Sequence, residues 1–162
     1  MPGLINSIVV ASALDAGKTI SFSVGSTASG GYRVTDFDWV PRIVGDPRAK
    51  LQAHGSWPTW RNVRLLEITL EGTIVGATPE DYWNQRSALA QALIPPAGYN
   101  TTVREHGTLT LDLPSVGHVW ALVNLVDYSV PLSHAGGTSS KMQFTWHADL
   151  GYWTSGTTVV NL

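Results

Sequence analysis

The stretch from Leu65 to Pro96 constrains the fold of this chain most, because a strand pattern in it runs directly into a helix pattern. Leu66, Ile68 and Leu70 alternate with polar residues, and a period of two is typical of a strand with one buried face. Glycines in the following turn end the strand. Apolar residues then recur at helical spacing. The sequence therefore predicts a sheet that carries one helix.

Local signals mark both ends of this helix. Thr78 is a good N-cap, since its hydroxyl oxygen can accept backbone N–H groups that have no partner inside the helix. Pro79 suits the first helical position, and Asp81 stands where a capping-box side chain accepts a hydrogen bond. Pro95 and Pro96 stop the helix, because neither can donate to its hydrogen-bond ladder. These signals predict a helix over residues 79–94.

Arg86 interrupts the apolar face of the predicted helix. A buried guanidinium group without a partner would be costly, so it needs one. It could contact an anion or another protein, or it could be an interior group bonded to a carboxylate or to carbonyls at a strand end. The interior alternative is favoured, with Glu67, Glu71 and Asp127 as candidate carboxylates. The residues predicted to brace the helix on the sheet are Trp83, Arg86, Leu89, Glu67 and Glu71.

The remaining segments alternate apolar and polar residues in about eight short strands. Residues 40–60 differ, because three prolines, two glycines and mixed charges predict an extended loop there. Residues 116–130 are apolar on both faces for part of their length, which is typical of a strand covered on both sides, within the domain or by a neighbouring subunit. We therefore expect a mainly β protein with one helix. Its predicted architecture is an antiparallel β-barrel or sandwich flanked by the helix, in a single domain over residues 1–162 with no second C-terminal domain.

Composition narrows the classes of function. The chain has 162 residues, a formal net charge of −2 and no cysteine. A small negative charge argues against a large surface for nucleic acid or anionic membranes. Without cysteine, neither a disulfide framework nor a thiolate metal site is possible. The first residues lack the basic start of a signal peptide, and no apolar run reaches membrane-spanning length, so we expect no membrane contact.

The sequence contains no convincing catalytic pattern. The AGKT segment at residues 16–19 resembles the end of a phosphate-binding loop, but Ser12 stands where that motif needs glycine, and a strand follows instead of a helix. The five histidines form no HxH or HExxH pair. We therefore predict no enzyme, no metal and no cofactor. A small carbohydrate-binding β-sandwich is an alternative of another class, with candidate sugar platforms at Trp39, Trp57, Trp60 and Trp153.

The order of segments resembles the N-terminal domain of siphophage distal tail proteins, which is itself similar to the tail-tube fold. The segments that carry the resemblance are RNVRLLEITLEGTIVG, TPEDYWNQRSALAQAL, GTLTLDL, HVWALVNLVDYSV and KMQFTWHADLGYWTS. In that family, helix residues of the W-x-x-R-x-x-L type follow a strand that ends in a small-residue turn. Trp83, Arg86 and Leu89 occupy those positions here.

The resemblance implies a β-barrel-like domain with a flanking helix, assembled as a ring that is usually hexameric. Such a ring lies in the virion at the distal end of the tail tube. It joins the tube and tape-measure side to the tail-tip or receptor-binding components. It would be assembled in the host cytoplasm, and DNA would only pass through its lumen. A tail-tube or tail-terminator subunit is the alternative within the same class.

A ring of this kind needs an apolar subunit interface, because its subunits bury large surfaces against one another. The second face of the 116–130 strand and the loop over residues 40–60 are the candidates. The residues predicted at the interface are Val119, Ala121, Val123, Leu125, Trp57, Trp60 and Arg48.

Overall fold

The computed structural model of the chain describes residues 5–11, 18–24, 31–44, 63–93, 107–114, 116–132, 137–148, 151–156 and 158–160. Within these ranges, strands predominate and one helix interrupts them. In chain order the elements are β1 (Ser7–Ala11), β2 (Thr19–Val24), β3 (Gly31–Val44), β4 (Val63–Val75), α1 (Pro79–Leu93), β5 (Gly107–Leu113), β6 (Gly117–Ser129), β7 (Ser139–Ala148), β8 (Trp153–Ser155) and β9 (Thr158–Val160).

Seven of the strands form a closed circuit of hydrogen-bonded neighbours. The sheet runs in the order β5-β1-β2-β3-β4-β7-β6, and β6 pairs back onto β5. An odd number of strands cannot alternate in direction all the way around a closed circuit, so at least one neighbouring pair must be parallel. β2 and β3 are that pair, and they are joined only at Ser23–Arg33 and Val24–Val34. β8 and β9 continue the sheet outward from β6.

This topology corrects two expectations about the sheet. All the described strands belong to one sheet, so they do not form a sandwich of two packed sheets. The sheet is also not wholly antiparallel, because β2 and β3 run in the same direction. The prediction of a mainly β chain with one helix is confirmed for the described residues.

β4 is the best-connected strand of the circuit. It pairs antiparallel with β3 over its whole length and with β7 over most of it. The end of β3 takes up residues 40–44, where we expected the extended loop to have begun, and residues 45–62 lie outside the described residues. The predicted alternation is confirmed, since Leu66, Ile68 and Leu70 are at most 3% exposed.

The inward-facing side chains of the circuit share one core. Across the β4–β7 pair, Leu70 stands opposite Phe144 and Ile68 opposite Trp146. The rings of Phe144 and Trp146 stack with their centroids 5.5 Å apart. Burial of these large apolar surfaces is the main favourable contribution to folding.

The helix folds back onto the circuit directly after β4. It touches β1, β2 and β4, and it buries Tyr82, Leu89, Ala92 and Leu93. A Cβ at Gly76, in the turn before the helix, would overlap the backbone of Tyr82, so glycine is required for this close approach. The described part of the chain contains no helix long and apolar enough to cross a membrane.

The two faces of β4 allow a test of this core. Replacing the fully buried Leu70 by Ala should lower the free energy of unfolding by about 2–5 kcal/mol, because it leaves a cavity. Thr69→Ala, on the outer face of the same strand, should change it by about 1 kcal/mol or less. Urea denaturation measures both values, and equal losses would contradict the assignment of the faces.

Candidate assembly surface

Helix α1 begins with a cap to which the side chains of Thr78 and Asp81 both contribute. Thr78 Oγ1 accepts a hydrogen bond from Asp81 N at 3.1 Å, and Asp81 Oδ2 accepts one from Ala77 N at 2.8 Å. Asp81 also accepts a hydrogen bond from Gln85 Nε2 at 3.0 Å, one turn further along. The predicted N-cap role of Thr78 is thus confirmed, whereas Asp81 accepts the N–H of Ala77, the residue before the N-cap, and not that of Thr78.

Two tyrosine hydroxyls hold α1 against the sheet. The fully buried Tyr82 donates to Ser140 Oγ, near the start of β7, at 2.9 Å. Tyr32, near the start of β3, donates to the backbone carbonyl of Gln85 at 2.6 Å. Burial and, to a lesser extent, the charge of Asp81 raise the pKa of Tyr32 to about 12, so this hydroxyl remains a donor at neutral pH. Both contacts join residues more than fifty positions apart, and no local pattern in the sequence announces them.

Arg86 links α1 to the end of β6. Its Nη2 donates a 2.9 Å hydrogen bond to the carbonyl of Val130, the residue that directly follows β6. Its guanidinium carbon lies 6.0 Å from the centre of the Trp83 ring, a distance at which a cation and a ring attract each other. Of the interior alternatives considered for Arg86, the structure shows the carbonyl at a strand end.

The carboxylates proposed as partners of Arg86 have other contacts. Glu67 Oε1 accepts a 2.7 Å hydrogen bond from Arg42 Nη2 and its other oxygen lies 3.7 Å from His147 Nε2. Glu71 is exposed and stands opposite Asp36 in the β3–β4 register. The predicted role of Glu67 and Glu71 in bracing the helix is therefore corrected, because Glu67 ties together neighbouring strands on the outer face of the sheet. The third candidate, Asp127, accepts a hydrogen bond from the backbone N–H that follows it.

The remaining two brace residues differ in burial. Leu89 is 1% exposed and lies in the core, where it was expected. Trp83 is 53% exposed, although its helical position placed it on the apolar face. Its ring contacts Tyr82 edge-on, with the centroids 5.7 Å apart, and about half of the residue remains open to solvent.

Large exposed apolar side chains lie on the residues next to the link between Arg86 and Val130. Trp83 is 53% exposed, Tyr128 48% and Leu132 65%. Tyr128 and Leu132 stand two residues before and after Val130, within about 7 Å along an extended chain. We call the group formed by Trp83, Arg86, Tyr128, Val130 and Leu132 the helix-end patch.

In the first half of β6, the side chains that were predicted at the subunit interface point into the core. Val119, Ala121 and Val123 are at most 2% exposed, so the prediction that they contact a neighbouring subunit was wrong. The opposite face, with Trp120 and Leu122, is half-buried. Because both faces of this strand are apolar, the sequence could not show which of them the circuit encloses.

The second half of β6 contains surface residues that the sequence did not reveal. Leu125, also predicted at the interface, packs against the core, and a bulge between Leu125 and Asp127 then shifts the strand relative to β7. Beyond the bulge, Tyr128 faces the same side as the buried Phe144 but is half-exposed, since β5 pairs with β6 only as far as Val123. A bulge breaks the period of two, so alternation alone could not identify Tyr128.

The other predicted site residues divide into two groups. Trp57, Trp60 and Arg48 lie outside the described residues. Trp153 is 2% exposed and its ring meets that of the half-buried Trp39 edge-on at 6.0 Å, so neither offers an open platform for a sugar. Within the described ranges, no three His, Asp or Glu side chains are placed together as metal ligands.

Comparison with known proteins gives a limited likeness. No protein-family model matches the sequence, and no curated protein is significantly similar to it. Among solved structures, the chain is similar to one in the tail of an empty gene transfer agent particle refined with C6 symmetry, at 14% identity and a TM-score of 0.41, over 98% of this chain and 96% of that one. It is also similar to a chain in the virion of a native gene transfer agent particle, at 10% identity and a TM-score of 0.36, over 95% of each chain. Both scores are low, so the likeness carries no conclusion about function.

The Arg86 link can be tested by removing its donor. Arg86→Ala should lower the free energy of unfolding by about 1–3 kcal/mol, since a charged hydrogen bond to a carbonyl is lost. Asn84→Ala, at an exposed position of the same helix, should change it by about 0.5 kcal/mol or less. Urea denaturation would contradict the structural role of Arg86 if the two variants lost equal stability.

The ion pair of Glu67 should make stability depend on pH. The hydrogen bond from Arg42 lowers the pKa of the Glu67 carboxyl below its ordinary value of 4.5. The resulting stabilisation is present above that value and is lost as the pH falls through the lower pKa of the folded protein. Glu67→Gln should therefore be less stable than the wild type at about pH 7, and the difference should be smaller at a pH well below 4.5. Urea titrations at both pH values measure this, with Glu71→Gln as the control for loss of one charge; a difference that persists at low pH would contradict the assignment.

Proposed function

We propose that this chain is a structural subunit of a phage tail, and that its copies assemble into a ring at the distal end of the tail tube. The ring would join the tube and tape-measure side to tail-tip or receptor-binding components. In this proposal the chain is a single-domain interaction protein without enzymatic activity, and its seven-strand circuit is a barrel of the tail-tube type.

The helix-end patch carries the proposal. Exposed aromatic and aliphatic side chains gathered around an arginine are typical of the centre of a protein–protein contact. Arg86 is already bonded inside the protomer, so it can support the patch without requiring a new charged partner. The protomer leaves much of Trp83, Tyr128 and Leu132 open to solvent. We therefore take a second copy of the chain as the occupant of the patch.

The strand–turn–helix unit gives independent support. The resemblance to distal tail proteins depends mainly on this unit, including the W-x-x-R-x-x-L spacing of Trp83, Arg86 and Leu89. In the folded chain, Leu89 enters the core, Arg86 reaches the end of β6, and Trp83 lies beside Arg86 at the surface. One short motif thus combines the anchoring of the helix with the exposed contact surface.

Contact between the patch of one copy and a different surface of the next would be heterologous. Such contacts close into a ring if the rotation between copies divides a full turn, and otherwise continue as a filament. A ring corresponds to the distal hub, whereas a filament corresponds to the alternative of a tail-tube subunit. The net charge of −2 suits a lumen through which DNA passes without being held.

Light scattering coupled to size-exclusion chromatography, followed by negative-stain microscopy, tests the proposed function. We expect a closed ring with an open centre and a mass that is a multiple of 17.4 kDa, six copies being the order implied by the resemblance. Trp83→Glu should shift the protein towards monomer, because it places a charge in the apolar contact. Asn84→Glu adds the same charge one residue along the same helix and should leave the ring intact.

Each outcome decides a different point. A monomer at every concentration would contradict the assembly role. Filaments instead of rings would favour the tail-tube alternative. Rings that withstand Trp83→Glu as well as Asn84→Glu would show that the copies meet elsewhere.

A further inference from the structure

Several stretches of strand lack a second neighbouring strand in the described part of the chain, and two of them lie on the long strands β3 and β6. β2 pairs with β3 only as far as Val34, so the rest of β3, residues 36–44, has β4 on one side alone. β5 pairs with β6 only as far as Val123, so the rest of β6 has β7 on one side alone. An open edge of this kind presents unpaired N–H and C=O groups on which another chain can add a strand.

Beyond the pairing with β2, β3 has a bulge followed by an aspartate, and β6 has the same arrangement beyond its pairing with β5. β3 has a bulge between Val34 and Asp36, and β6 has one between Leu125 and Asp127. In both strands, the first residue to resume pairing is an aspartate. The carboxylate of each aspartate then accepts the N–H of the next residue, at 3.0 Å for Phe37 and 2.9 Å for Tyr128.

On β3 a second aspartate accepts a backbone N–H further along the same edge. Asp38 Oδ1 accepts the N–H of Trp39 at 2.9 Å, so the N–H groups of residues 37 and 39 both go to carboxylates. Successive N–H groups on one side of a strand are two residues apart, which makes residue 41 the next donor. That residue is Pro41, which has no N–H to offer.

On β6 a side chain also binds a backbone carbonyl of the open edge. Tyr128 and Val130 are two residues apart, so their backbone polar groups point to the same side of an extended chain. Asp127 takes the N–H of Tyr128, and Arg86 donates to the carbonyl of Val130. Side chains thus occupy a donor and an acceptor on the side that β5 leaves open.

We propose that Asp36, Asp38 and Pro41 on β3, together with Asp127 on β6, close these two free edges to strand addition by another copy of this chain. Copies then meet through side-chain surfaces and not through a continued sheet. The proposal does not depend on the tail function, since any chain that reaches high local concentration needs its edges protected.

The test compares alanine with asparagine at the two aspartates of β3. The double variant D36A/D38A frees two N–H groups, whereas D36N/D38N loses the same two charges but keeps an oxygen that can accept them. In concentrated solution, D36A/D38A should raise thioflavin T fluorescence and light scattering severalfold, and D36N/D38N should match the wild type. Adding Pro41→Val to D36A/D38A restores a third donor and should increase both signals further.

Hydrogen exchange in dilute solution measures how well the aspartates protect these edge amides while the protein has not yet associated. The amides of Phe37 and Trp39 should exchange about tenfold faster in D36A/D38A than in D36N/D38N, because each loses one hydrogen bond. If D36A/D38A and D36N/D38N behave alike in both assays, the proposal is overturned. If both variants associate more than the wild type and to the same extent, the cause is the loss of charge. Should D36A/D38A fail to fold, Asp127→Ala against Asp127→Asn applies the same comparison to β6 with the same decisive outcomes.

Discussion

The odd number of strands in the closed circuit is the constraint on which the rest of this structure depends. It makes one parallel neighbour pair unavoidable, and the chain keeps that pair to two residues of β2 and β3. The short pair leaves most of β3 with a single neighbour. β5 likewise covers only the first part of β6. The bulges, the aspartate caps and the carbonyl that Arg86 contacts all lie beyond the points where these neighbours end.

Local signals in the sequence were sufficient for the features that involve neighbouring residues. The N-cap at Thr78 and the buried alternation of β4 needed only short-range patterns, and both are found in the structure. Such patterns could not predict the partner of Arg86, because the carbonyl of Val130 lies 44 residues away along the chain. A strand-end carbonyl also leaves no mark in the sequence, whereas a carboxylate does.

The interface prediction on β6 failed for a related reason. A strand with two apolar faces does not reveal which face lies inside, and the circuit placed Val119, Ala121 and Val123 in the core. The bulge before Asp127 then changes the phase of the alternation, so Tyr128 could not be assigned by counting. Trp83 was misplaced because the period of a helix gives the direction of a side chain, but not where the covering surface stops.

Side chains at the ends of the neighbouring strands therefore divide the surface into two kinds of region. Free backbone edges are occupied by carboxylates, a proline and a guanidinium, while apolar side chains remain open in the helix-end patch. A cryo-electron microscopy reconstruction of the assembled protein is the most direct measurement of this division. It should show a closed ring with Trp83, Tyr128 and Leu132 buried between copies, and no strand of a neighbouring copy paired with β3 or β6. A sheet that continues by hydrogen bonds from β3 or β6 into the next copy would contradict it.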